Sequence, residues 1–300
     1  MRPCRALLLL ITALHLLLAA AAPAEAKRVA LVIGNGAYRN LAALPNPPND
    51  ARAMAATLRR LGFEVDEAID LDRGTMDRRL RAFVRSVDNS EVAAFFYAGH
   101  GLQVDGRNYL APVDAELMSA PELPFETFDL ETVVGALERG TRIGLVFVDA
   151  CRDNPLAQRL QAGARGRSVS VGRGLAPVET GTGMLIAYAT QPGNVAVDGE
   201  GANSPFTAAL AKSLEVPGLE VRQVMTRVRQ TVIAATGGAQ VPWDHSSLTE
   251  DVYLLPRERE PAPPPQATEP PPGFDPRQAD LAFWDAIKDS REPRVIEEYL

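Results

Sequence analysis

"VAAFFYAGHG" (Val92–Gly101) and "IGLVFVDAC" (Ile143–Cys151) decide how this chain folds. Each is a continuous apolar run that stops at a reactive side chain. A strand with one solvated face alternates apolar and polar residues, whereas a strand covered on both faces reads as an unbroken apolar stretch. These two runs therefore predict central parallel strands with helices on either side. The flanking sequence supplies the rest of an α/β alternation. "RVALVIG" (28–34) is a strand, followed by "NDARAMAATLRRLG", in which Asn49 is placed to cap a helix that Gly62 ends. "FEVDEAID" reads as a second strand and "TMDRRLRAFVRSV" as a helix. A hairpin is expected at Asp105-Gly106, and a helix from Leu130 to Arg139. Strand "MLIAYAT", helices "SPFTAALAKSL" and "VRQVMTRVRQTVIAAT", and a last short strand "VYLL" complete the pattern.

Composition bounds the interpretation. The chain has 300 residues, 46% hydrophobic and 23% charged, which fits one sizeable domain with appendages and excludes disorder throughout. Residues 1–26 read as a secretory signal peptide: Arg2 and Arg5 precede a long apolar run, and "AEA" before Lys27 offers small residues for cleavage. An uncleaved anchor is the competing interpretation. Cys4 precedes the apolar run and is badly placed for a lipoprotein site. The expected location is outside the cytoplasm, periplasmic or secreted. Loss of Arg2, Arg5 and Glu25 would make the net charge of −7 one unit more negative, which gives no general attraction to nucleic acid. The domain should span 27–255. Within it, 155–182 is rich in Gly, Ser and Arg and lacks apolar periodicity, so a flexible loop is expected. Residues 256–273 form a proline-rich linker.

With Cys4 removed, Cys151 is the only thiol, so it has no partner for an internal disulfide. His100 and His245 are the only imidazoles of the mature chain, and none of these residues has zinc-ligand spacing. Ligands gather outside the carboxyl ends of strands in open parallel sheets, and both central runs deliver a reactive residue there. Adjacent strands would bring His100 and Cys151 together. A thiol titrating near about 8.5 is mostly protonated at neutral pH, and a neighbouring imidazole can take its proton and later return it to a leaving amine. Gly99 and Gly101 leave room for substrate backbone, and the amides of Gly101 and Cys151 are candidates for an oxyanion hole. A buried thiol and a loop histidine are the unreactive alternatives.

"FYAGHG" and "VDACRDNP" resemble the histidine and cysteine motifs of the caspase-like cysteine peptidases, nearest the bacterial metacaspase and paracaspase-like group. The similarity continues through "LVIGNGAYRNLAALPNPPNDARAM", "AYATQPGNVAVDGEGANSPFTAAL" and "QVPW". It implies a three-layer sandwich whose six-stranded, mostly parallel sheet is flanked by helices, with His100 as general base and Cys151 as nucleophile. Asp149 lies two residues before Cys151, and strand alternation points both to one side. Metacaspases, which cut after Arg or Lys, are similar in carrying acid there, and Asp50 matches their second pocket acid. The resemblance thus implies a polypeptide substrate with Arg, then Lys, at the cleavage site. One departure is Ala98, where metacaspases often have Ser. Residues 274–300, "FDPRQADLAFWDAIKDSREPRVIEEYL", resemble the truncated start of a helical repeat and are a candidate for binding a protein partner.

Asp50 also suits the first turn of a helix, where a carboxylate complements the dipole, and Asp149 suits a polar strand end. Arg159, Arg165, Arg167 and Arg173 are candidate self-cleavage sites in a loop that is otherwise simply solvated. An inactive peptide-binding scaffold or an amidase acting on cell-wall peptides would use the same cleft. "GNGAYR" begins like a dinucleotide fingerprint, but Arg39 stands where its third glycine belongs. No cofactor is expected and no metal ligands are assigned. Acidic residues are plentiful, yet no EF-hand spacing supports calcium activation.

Overall fold

The two apolar runs form neighbouring central strands. In the computed structural model, which describes residues 27–116, 118–150, 171–172, 175–192, 194, 196, 201–257, 275–289 and 294, β3 (Ser90–Ala98) and β7 (Thr141–Asp149) pair in parallel. The other strands of this sheet are β1 (Arg28–Gly34), β2 (Glu64–Ile69), β9 (Met184–Tyr188) and β10 (Trp243–Ser246). Their order is β10-β9-β7-β3-β1-β2, and only the β9–β10 pair is antiparallel. Phe95, Phe96, Tyr97 and Phe147 are fully buried, as continuous apolar strands between two helical layers must be.

Helices fill both faces. One group comprises α1 (Pro47–Arg60), α5 (Pro205–Leu214) and α6 (Val221–Ala235), with α5 packed against both of the others; the other comprises α2 (Arg73–Val87) and α4 (Leu130–Gly140). Right-handed crossovers place α1 and α2 on opposite faces, since the chain moves outward from β1 to β2 and then back to β3. The helix starts follow local chemistry. Asp72 accepts the Thr75 amide at the head of α2, and Asp129 accepts that of Glu131 at the head of α4. α1 begins earlier than the sequence suggests: Asn46 is its N-cap, Pro47 and Pro48 occupy the first turn, and Asn49 lies inside it.

A second sheet, ordered β6-β5-β4-β8, stands at the carboxyl end of β3. It is built on the hairpin of β4 (Gly101–Val104) and β5 (Arg107–Leu110), with β6 (Phe128–Asp129) beside β5 and β8 (Val171–Gly172) beside β4. The short helix α3 (Leu123–Glu126) leads into β6. Asp105 and Gly106 have φ of 49° and 81°, the positive pair that a two-residue hairpin of matching twist requires.

Two expectations are corrected. The last strand is not "VYLL" but Trp243–Ser246. Val252 and Leu254 are buried and Tyr253 is exposed, so the alternation is real, but the Val252 carbonyl accepts Val221 N–H and the Leu254 carbonyl accepts the Arg28 guanidinium. Its backbone bonds therefore go to a helix start and a side chain instead of a ladder. The end of the supposed flexible loop is packed: Leu175, Ala176 and Val178 are buried, and Asn108 both donates to the Ala176 carbonyl and accepts its amide, at 2.8 and 2.7 Å. Such a pair of bonds mimics a strand partner and needs no apolar periodicity. Residues 155–170 and 173–174 lie outside the described residues.

The chain divides after Arg257 into two compact units. The second contributes one described helix, α7 (Pro276–Ile287), on which Leu281 and Phe283 are exposed. Among the described residues no helix is long and apolar enough to cross a membrane, and residues 1–26 lie outside them.

Candidate active site

His100 follows the end of β3 by two residues. Between them Gly99 has φ 152°, and a Cβ there would meet the hydroxyls of Tyr38 at 2.6 Å and Tyr97 at 2.8 Å. Only glycine lets the chain turn over these two tyrosines. The His100 backbone is then held on both sides. Its N–H donates to Tyr38 Oη at 2.7 Å, and its carbonyl accepts Tyr97 O–H at 2.8 Å and Ala111 N–H at 3.0 Å. The single Tyr97 proton is shared between that carbonyl and the Ala111 carbonyl at 2.9 Å; the Tyr97 oxygen lies 3.2 Å from the Tyr38 hydroxyl, and the Asn35 side-chain amide donates to the same Ala111 carbonyl at 3.1 Å. Burial, followed by the proximity of Tyr38, pushes the Tyr97 phenol well above its ordinary range, so it remains a neutral donor.

The imidazole is 3% exposed, with the Tyr38 ring tilted against it at 4.4 Å between centroids. Its Nε2 lies 2.8 Å from the Ala42 carbonyl oxygen. A carbonyl can only accept, so Nε2 carries the proton and Nδ1 is the nitrogen able to take another. The loop after β1 thus selects the tautomer. That loop follows α1 closely: a Cβ on Gly34 would sit 2.2 Å from the Pro47 carbonyl oxygen, and one on Gly36 would sit 2.3 Å from that of Leu44. These glycines of "IGNGAY" serve close packing, which explains the partial likeness to a phosphate-binding fingerprint.

Register places the other end of the site. Ala98 pairs with Asp149, and Gly99 N–H reaches the Asp149 carbonyl at 3.3 Å. His100 is two residues past one member of this pair and Cys151 two residues past the other. Cys151 lies outside the described residues, as do Arg159, Arg165, Arg167 and Arg173. Ala150, immediately before it, is buried, and its Cβ would be 3.1 Å from a Cβ placed on Gly101. Gly101 therefore opens β4 directly against the end of β7.

Asp50 and Asp149 converge although they are far apart in sequence. Asp50 is 2% exposed and its Oδ1 accepts Asn203 Nδ2 and Ser204 N–H, both at 2.9 Å. Asp149 is 1% exposed and its Oδ2 accepts the hydroxyls of Ser204 and of Thr207, the latter at 2.7 Å. One residue, Ser204, thus touches both acids. Asp50 is in the first turn of α1, but its carboxylate is engaged by the residues leading into α5, so dipole compensation alone does not account for it.

The residues that sequence reading did not single out are Tyr38, Tyr97, Ala42, Asn203, Ser204 and Thr207. "NSPFT" carried one usable signal, Ser before Pro at a helix start. His245 lies exposed on β10, its ring stacked near that of Trp243. Among the described residues no group of three or more His, Cys, Asp or Glu converges to hold a metal ion. A groove of about 580 Å³ between α2 and α4, lined in part by Arg73, Leu80, Val84 and Phe128, shares no residue with this site.

A mostly parallel six-stranded sheet between helical layers, with a histidine at the carboxyl end of one central strand, is the α/β architecture of the caspase-like fold. Residues 27–253 match the sequence model of the caspase domain, Peptidase C14, and the chain belongs to that family of cysteine peptidases. It is also similar to mucosa-associated lymphoid tissue lymphoma translocation protein 1 of Homo sapiens, 31% identical over 134 residues, which cover 43% of this chain and 16% of that protein. The Mus musculus homolog is 30% identical over 134 residues, covering 43% of this chain and 15% of its own length. The matched stretch is thus a small part of either relative.

Proposed function

We propose that this domain is a cysteine endopeptidase that hydrolyses the bond after Arg and, less well, after Lys. The observation that supports the reading is the β3–β7 register: Ala98 pairs with Asp149, and in sequence His100 follows the one, and Cys151 the other, by two residues. In the proposed reaction the Cys151 thiol gives its proton to His100 Nδ1 and the sulfur attacks the scissile carbonyl carbon. The amides of Gly101 and Cys151 are the donors assigned to the oxyanion. Collapse breaks the C–N bond, the departing amine takes the proton from His100, and a thioester remains. Water then attacks the thioester, passing a proton to His100; the C–S bond breaks and the departing sulfur takes that proton from His100, restoring the thiol and the neutral imidazole. Asp50 and Asp149 form the acidic subsite, where a guanidinium gains charge-assisted, bidentate bonds that an ammonium cannot match.

Fluorogenic peptides ending in Arg, Lys or Asp, assayed with and without calcium against wild type and Cys151→Ala, test this reading. Turnover of the Arg peptide that disappears in the variant is expected, while turnover of the Asp peptide alone would overturn the assignment of the acids. Self-cleavage at Arg159, Arg165, Arg167 or Arg173 belongs to the same reading, and sequencing of new termini in wild type and Cys151→Ala checks it. Export of the mature chain from Lys27 rests on the sequence of residues 1–26. A protein partner for the region after Arg257 rests on sequence in the same way.

A further inference from the structure

Both acids are held by one short segment that enters α5, and its central residue bonds each of them. Ser204 is 0% exposed and caps α5, its Oγ accepting Thr207 N–H at 3.0 Å. A hydroxyl has one proton, and Asp149 Oδ2 is an acceptor, so that proton points at Asp149. The backbone N–H of the same residue points at Asp50 Oδ1. Thr207 adds a second hydroxyl to Asp149 Oδ2, and Asn203 adds a second donor to Asp50 Oδ1. One oxygen of each carboxylate is thus held by a pair of donors, and a single residue, Ser204, contributes to both pairs.

We propose that Ser204, supported by Thr207, is a positioning residue that orients Asp149 relative to Asp50 and thereby sets the preference for Arg over Lys. The inference rests on the reading of these acids as the substrate subsite. A guanidinium is a rigid planar fork that needs carboxylate planes at a fixed angle, whereas an ammonium is a compact charge that tolerates their rotation. Loss of the Ser204 hydroxyl should therefore harm binding of Arg more than of Lys. It should not touch the thiol.

The test compares wild type, Ser204→Ala, Ser204→Thr and Thr207→Val on Arg and Lys peptides, with the rate of Cys151 alkylation and the Tm recorded for each. Thr207→Val removes a donor to Asp149 without altering the cap of α5, so the test does not depend on whether Ser204→Ala folds. For Ser204→Ala and Thr207→Val we expect KM for the Arg peptide to rise about ten-fold, the scale of one hydrogen bond to a charged group. KM for the Lys peptide should rise much less, alkylation should be unchanged, and Ser204→Thr should restore the Arg preference. A purely structural role predicts a lower Tm with both KM values and the Arg/Lys ratio unchanged; that result in Thr207→Val and in folded Ser204→Ala overturns the proposal. If wild type itself shows no preference for a basic residue, the subsite reading fails instead, and this inference with it.

Discussion

Replacing Tyr38 by Phe removes one oxygen and leaves the ring that packs on His100. That oxygen accepts the His100 N–H at 2.7 Å and lies 3.2 Å from the Tyr97 hydroxyl, and Tyr38, Tyr97 and His100 are all buried. An unsatisfied buried donor costs about 1–3 kcal/mol. Taking about 2 kcal/mol, a domain of this size should melt roughly 4–8 °C lower. The consequence for catalysis is separate, because His100 loses one of the bonds that fix its backbone, and a base displaced by a fraction of an ångström lowers kcat by roughly ten-fold. Thermal unfolding followed by circular dichroism, and peptide turnover at saturating substrate, would measure both. The double variant with Tyr97→Phe should be non-additive, with a coupling of about 0.5–3 kcal/mol, since the two hydroxyls belong to one network. A single variant that melts within about 1 °C of wild type and retains full kcat would refute the idea that this network holds the base.

Gly99→Ala should be more severe, because it combines a φ of 152° with a Cβ 2.6 Å from a buried hydroxyl; soluble yield and the intensity of near-ultraviolet circular dichroism should both fall sharply. Phe147→Ala, at the fully buried centre of β7, should lower stability by about 3–5 kcal/mol in denaturant titration, with the Arg/Lys preference of the remaining folded protein unchanged. Asp72 is held below the ordinary carboxylate value of 3.8, first by the backbone amide of Thr75 and then by its side chain. A depressed acid contributes stability that is present above its unfolded value and lost as pH falls through the folded one. Asp72→Asn keeps a capping acceptor but cannot titrate, so its Tm should vary less with pH below about 4 than that of wild type.

The central architecture was legible because burial on both faces leaves a local mark. Phe95, Phe96 and Val146 announce their strands without reference to any partner, and Asp105-Gly106 announces its own turn. What escaped depended on distant partners. Asn49 is a good capping residue, but the two prolines before it had already started α1, so the helix begins earlier than its polar cue. Val252 and Leu254 alternate like a strand while their carbonyls serve Val221 and Arg28. The chemistry divides along the same line. His100 could be singled out from the glycines beside it, whereas Tyr38 gave no sign that its hydroxyl sits under His100. Ser204 was readable as a helix start, but nothing local reveals that it faces Asp50, 154 residues away in sequence.

The Ala42 carbonyl makes part of this machinery invisible to ordinary mutagenesis. Its oxygen belongs to the main chain, so every side-chain replacement at position 42 retains it, and an alanine scan leaves the position untouched by construction. A survey of variants would credit the proton inventory of the imidazole to its neighbours and never register the group that dictates it. Semisynthesis can reach it: an ester in place of the amide between Ala42 and Ala43 would weaken that acceptor while preserving every side chain.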